Sequence, residues 1–279
     1  MTVRRMRNTI KNKGYRLCLG LLMLGVAGLE GGLAAGSFYE LKRSDVAFQV
    51  GASFPLGQFG RTPFGRVDRN AHTLDYNGAG IGVTYGLAFD FFVFNEYCGL
   101  YITFQGHSNK TQAPAEAFGP DPATVMGKRT WETAETDKWT EFMAMAGGTF
   151  RFPLVDWLVA TGRVGIGYAH MLSPFYRAAS EDRHVRYTYD FSSGSKPAFG
   201  YTVGLGLKFL VTRGFHIDIK ADYMGSTPFN FANIGSVVYM ESLTKPEDGK
   251  TEVRGTQTAY SFKECFQVVD LSLGFTIAF

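Results

Sequence analysis

No stretch of this chain supplies the roughly 20 consecutive apolar residues that a helix needs to cross a bilayer. The run from Leu17 to Leu29 stops at about 13. Mean hydropathy is −0.06, too polar for a helical membrane protein. Cysteine is nearly absent, with three in 279 residues. Cys18 has no lipobox-like sequence before it, so the chain does not read as a lipoprotein. Cys98 and Cys265 fall at opposite ends of the strand map below. No disulfide is expected between them, although an oxidising compartment would permit one. No Pro/Gly/Ser-rich linker divides the chain, which is read as one domain. A strong charge of one sign is also missing. The formal +3 comes from Arg4, Arg5, Arg7, Lys11, Lys13 and Arg16. Without residues 1–36, about 22 basic and 24 acidic residues remain, and nothing points to nucleic acid as a partner.

What abounds is glycine and aromatic side chain: 34 glycines, 25 phenylalanines and 14 tyrosines. This composition without long apolar runs suits an all-β protein with aromatic girdles. The amino-terminus reads as a secretory signal. Its basic cluster precedes the short apolar run, and the small residues Gly31, Gly32, Ala34, Ala35 and Gly36 follow. A signal peptide is expected over 1–36, cleaved within Ala34–Gly36, with a barrel domain over 37–279.

The strongest pattern is the ending. Leu271, Leu273, Phe275, Ile277 and Phe279 share one face of a strand, opposed by Ser272, Gly274, Thr276 and Ala278. A period of two with a wholly apolar face means that one side meets oil. An exposed edge strand this greasy invites aggregation, whereas a strand that closes a barrel has no free edge. The same alternation recurs near 46–54, 78–91, 98–105, 139–152, 158–168, 199–209 and 215–223. Eight strands form four hairpins. Their short turns fall near 94–97, 153–156 and 211–214, and their long loops near 55–77, 107–137, 171–197 and 225–264. Short turns at one rim and long loops at the other are the asymmetry of transmembrane barrels. Val185, Tyr187, Tyr189 and Phe191 continue the alternation and extend the third hairpin beyond the membrane. A further hairpin between Val237 and Tyr260 would make ten strands the alternative count.

The carboxy-terminal alternation ending on an aromatic resembles the terminal strand of Gram-negative outer-membrane β-barrels. Gly51, Ser53, Pro55, Gly57 and Phe59, followed by Gly78, Gly80 and Gly82, resemble the first-strand exit of small outer-membrane β-barrel-domain proteins. The resemblance implies an all-β fold, an eight-stranded antiparallel up-and-down transmembrane barrel of the OmpA/OmpX type. It implies an assembly signal in Leu271, Leu273, Phe275, Ile277 and Phe279, read by the barrel-assembly machinery. It also implies residence in the cell outer membrane among its lipids, with long loops extracellular and short turns and both mature termini periplasmic. It implies no single activity, since one fold hosts many.

Facing inward on this map are Asp90, Glu141, Arg151, Arg163, Lys208, His216, Asp218, Lys220, Asp222 and Asp270. Acids and bases nearly balance, as burial demands, and an eight-stranded barrel is narrow enough for side chains to fill. Pairing is expected between Arg151, Arg163 and Lys208 on one side and Asp90, Glu141, Asp218 and Asp222 on the other. The alternative is a narrow channel or transporter for ions or small hydrophobic molecules.

Gly78, Gly80 and Gly82 do not read as a phosphate loop, because no helix follows. His107-Ser108-Asn109 superficially suggests lipid hydrolysis, but adjacent strand residues point to opposite faces. His216 and Asp218 share the lumen face and read as part of an ion pair rather than a metal or protease site. Trp131, Trp139 and Trp157 are expected in interfacial belts. No catalytic, cofactor or metal residue is assigned. The expected role is that of a monomeric, non-enzymatic structural or surface-interaction protein, with a ligand for its long loops that the sequence does not specify. A His/Ser/acid cluster on the lipid face would instead favour a lipid-modifying enzyme.

Overall fold

The computed structural model describes residues 44–61, 67–68, 73–74, 78–112, 116–118, 125–128, 133–182, 185–212, 214–244 and 251–279. The expected signal peptide and Trp131 lie outside the described residues. Eight long strands close a barrel: β1 (Ser44–Pro55), β2 (Ala79–Phe91), β3 (Cys98–Thr111), β4 (Trp139–Val155), β5 (Leu158–Ser173), β6 (Gly194–Thr212), β7 (Phe215–Ser226) and β8 (Gln267–Ala278). Every strand pairs antiparallel with its chain neighbours, and β1 pairs with β8 to close the ring. At the seam the Ser44 and Phe279 backbones exchange both hydrogen bonds.

The alternation in sequence becomes an inside-out solvation pattern. Phe48, Val83, Ile102, Ile166, Leu205 and Leu273 are exposed on the outer wall. Residues of the opposite parity on the same wall, among them Gln49, Thr84, Thr103, Gln105, Thr202 and Ser272, are buried in the lumen. On β6 the outward apolar row runs from Phe199 to Phe209. Ten rises of about 3.3 Å, tilted near 40°, span roughly 25 Å, the height of an outer-membrane apolar band. Trp157 stacks on Phe209 at one end of the row, with centroids 6.1 Å apart. Tyr168 pairs with Phe199 at the other.

One rim carries only short turns. Asn95 Oδ1 accepts the Tyr97 and Cys98 amides at 2.8 and 2.7 Å, an Asx-type turn that returns the chain into β3. The second turn is tighter than the sequence suggests. β4 runs through Pro153 to Val155, and only Asp156 and Trp157 turn.

At the other rim the wall continues past the barrel. A second, seven-stranded sheet has the order 67–68, 73–74, 251–264, 229–244, 185–191, 176–182 and 133–136. All four long connections contribute to it. The strands are interrupted between barrel and sheet at 174–175, 192–193, 227–228 and 265–266. Pro174 and Pro228 lie in two of these breaks, where a missing N–H ends the ladder. The ten-strand alternative is therefore corrected. The hairpin expected near Val237–Tyr260 exists as Phe229–Thr244 and Thr251–Glu264, but it belongs to the outer sheet, and the barrel has eight strands.

A continuous apolar core fills the upper lumen and the inner side of this sheet. Met143, Met145, Met171 and Met224 come from the barrel wall, and Tyr176, Tyr187, Tyr189, Phe229, Tyr260 and Phe262 from the sheet. Trp139 departs from the expected belt. It is 1% exposed and packs on Phe59, with centroids 5.4 Å apart. It shares the inward parity of Glu141 and Met143, so its indole seals the lumen instead of meeting lipid.

Candidate functional site: a charged lumen under an apolar cap

Alternation along all eight strands aims a ladder of ionisable groups into the barrel. Nearest the short-turn rim, Lys208 on β6 reaches across to Asp45 on β1. Asp45 was not anticipated, because it precedes the first apolar residue of its strand. Next, Asp218 on β7 accepts a hydrogen bond from the Thr276 hydroxyl and lies 3.4 Å from the Lys220 ammonium. His216 is buried on the same inner face of β7. Arg151 turns toward the rim. Its Nε donates to the Glu96 carbonyl at 2.6 Å, and its guanidinium lies 3.6 Å from the centroid of Phe92. It thus ties the lumen floor to the first short turn.

In the middle, Arg163 on β5 grips Asp222 on β7 with two hydrogen bonds, Nε to Oδ1 at 2.8 Å and an η-nitrogen to Oδ2 at 2.6 Å. The strand between them presents Gly204, where a Cβ would collide with the Asp222 carboxylate. Only glycine lets the pair form across β6. Asp90 lines the same small cavity as Arg163, Lys208 and Lys220, within reach of their fields but in no direct ion pair among the described residues. That cavity has a volume of about 20 Å³, room for a single water.

Above it, Asp270 on β8 accepts from Gln105 Nε2 at 2.8 Å and lies 2.7 Å from His107 Nε2. Asp270 stands directly opposite Asp222 across the β7–β8 ladder. Like charges so placed repel, and each is turned to a different partner. Sequence reasoning missed His107 as a lumen residue because β3 was ended at 105. Gly106 and Ser108 are its outward neighbours, so the apolar signal fades while the strand continues. The pairing expected of Glu141 is not made. Its side chain is 2% exposed, and neither carboxylate oxygen has a partner, although it faces His107 in register on the neighbouring strand.

Among known proteins, the family model described as outer membrane protein beta-barrel domain matches residues 19–240. The chain belongs to that family. Membership places this outer membrane β-barrel protein in the outer membrane, and its closed eight-stranded architecture agrees. No curated protein matches it. Among solved structures it is similar to the Neisserial surface protein A, at 11% identity over 85% of this chain and 97% of that one, with a TM-score of 0.42. It is also similar to Ail, the attachment invasion locus protein of Yersinia pestis, at 14% identity over 85% and 99%, with a TM-score of 0.36. A third similar structure is the outer membrane protease OmpT of Escherichia coli, at 7% identity over 88% and 100%, with a TM-score of 0.33. Likenesses this distant carry no activity across to the β-barrel protein.

Proposed function

We propose that this outer membrane β-barrel is a closed scaffold that displays the sheet built from its long connections at the cell surface. The observation carrying this reading is the filled interior. A bidentate Arg163–Asp222 pair crosses the middle of the lumen, and a core of methionine and aromatic side chains caps it. Buried ions held in this way favour a fixed wall over a water path. The sheet, with its polar outer side and four contributing connections, is the surface on which a partner would act. The long connections are extracellular, the short turns and mature termini are periplasmic, and the protein works as a monomer in lipid.

A planar bilayer containing refolded protein is expected to carry no steady current. A steady, ion-selective current would overturn the closed-lumen reading in favour of a narrow channel. An epitope inserted between Lys245 and Lys250 is expected to bind antibody on intact cells, and binding only after lysis would invert the orientation.

Assembly follows from the β1–β8 seam. Phe279 projects from the outer wall, 63% exposed, beyond an apolar row that the barrel-assembly machinery would read. Deleting Phe279 is expected to reduce outer-membrane insertion strongly while leaving the unfolding midpoint of the inserted fraction close to that of the full chain. Equal insertion of both chains in membrane fractions would remove the assembly role from this residue.

A further inference from the structure

The outer wall holds a constellation that the scaffold role does not use. His170 on β5 lies between two hydroxyls: Ser195 Oγ is 2.9 Å from Nε2, and the Tyr168 hydroxyl is 3.0 Å from Nδ1. Tyr168 and His170 are two apart on one strand, so both face outward, with near-parallel rings 6.1 Å apart. Ser195 comes from β6, where it pairs with Leu172, while His170 pairs with Pro197. With the proton on Nδ1 donated to the tyrosine oxygen, Nε2 is free to accept the serine proton. This is the nucleophile, base and orienter arrangement of covalent catalysis.

Depth decides what such a site would meet. Tyr168 and Phe199 pair at the end of the apolar row, where aromatic residues mark the membrane interface. His170 and Ser195 lie just beyond them, at the level where the acyl esters of membrane amphiphiles sit. Phe142, Leu172 and Phe199 are exposed beside them on the outer wall and offer an apolar bed for the acyl chain.

We propose that Ser195 and His170 form a site that hydrolyses acyl esters of lipids in the surrounding leaflet. Ser195 Oγ bonds to the acyl carbon while its proton passes to His170 Nε2. The ester C–O bond then breaks, and the leaving alcohol takes that proton. Water, deprotonated by His170, attacks the acyl-serine, releases the fatty acid and restores the serine. Tyr168 is a positioning residue that holds the imidazole. It is a phenol where many such sites place a carboxylate, so it steadies the imidazolium less and turnover is slow.

The test uses the full mature chain refolded in vesicles, with folding of each variant checked by heat-modifiable migration. A fluorophosphonate is expected to label Ser195, and labelling is lost in Ser195→Ala. His170→Phe slows labelling roughly a hundredfold or more. Tyr168→Phe lowers the maximal labelling rate several-fold without changing the half-saturating probe concentration. Ser108→Ala, which removes another outward hydroxyl, changes nothing. Fatty acid release is measured from diacylglycerophospholipid vesicles and from vesicles containing lipopolysaccharide. Release from either, dependent on Ser195, supports the proposal and identifies the source of the ester. Wild-type protein that neither labels faster than Ser195→Ala nor releases more fatty acid from either vesicle overturns it, and leaves the closed-lumen reading untouched.

Discussion

Arg163→Ala is expected to lose about 3–5 kcal/mol of folding free energy, the cost of stranding one partner of a buried ion pair. The substitution leaves Asp222 without its two charge-assisted hydrogen bonds and directly opposite Asp270 on the next strand. The double variant Arg163→Met/Asp222→Leu removes both charges and keeps apolar volume in place, so most of the loss is expected to return. Urea unfolding of vesicle-inserted protein, followed by tryptophan fluorescence, measures both. An Arg163→Ala midpoint within error of wild type would mean that the pair does not hold the barrel. A double variant as unstable as the single one would place the loss in packing instead of charge.

Leu205→Arg comes next in size, at about 2–4 kcal/mol for a cation near the bilayer midplane. Leu205 is 70% exposed on the outer wall, six residues from Phe199 and four from Phe209 along an outward row about 25 Å tall. The penalty is expected to decay toward the interface. Phe215→Arg, beside the short-turn rim, therefore costs about 0–1 kcal/mol for the charge. Leu205→Ala separates lost apolar contact from charge burial and is expected to cost less than Leu205→Arg. Equal midpoints for Leu205→Arg and Leu205→Ala would show that position 205 does not face hydrocarbon.

How much of this was legible depends on what each residue's surroundings write into the pattern. Within the bilayer, lipid outside and polar lumen inside impose a strict alternation, so strand parity from Phe48 to Ile277 was readable. Beyond the bilayer the outer face is wet, and alternation stops reporting strand structure. β3 thus appeared to end at Gln105, which hid His107 and its bond to Asp270. Asp45 was missed for the same reason at the opposite rim. Trp139 was a different kind of miss. Its parity with Glu141 already pointed inward, and the habit of assigning tryptophan to belts overrode a signal that was present. Glu141 is buried at an inward position, but that no cation among the described residues reaches it depends on contacts across the barrel that no local pattern encodes. Pro174 and Pro228 lie where the barrel wall breaks, a signal the sequence reading did not use, and the order of the outer sheet could not be read, because it joins segments as distant as 73–74 and 251–264. The Ser195–His170 contact joins two strands whose register had to be known first.

The two rims of this protein are mechanically unequal. A β-barrel breathes by shearing hairpins past one another. At one rim, the sheet order 67–68, 73–74, 251–264, 229–244, 185–191, 176–182 and 133–136 stitches all four long connections together. At the other, turns as short as two residues each join one pair of strands and reach the next strand by little more than one backbone hydrogen bond, as from Arg151 to Tyr97 or from Leu210 to Trp157. The molecule therefore behaves as a tube with a stiff collar at one mouth and a compliant lip at the other. Lateral pressure from the bilayer deforms the compliant mouth first, and the amides of the short-turn end exchange with solvent sooner than those beneath the collar.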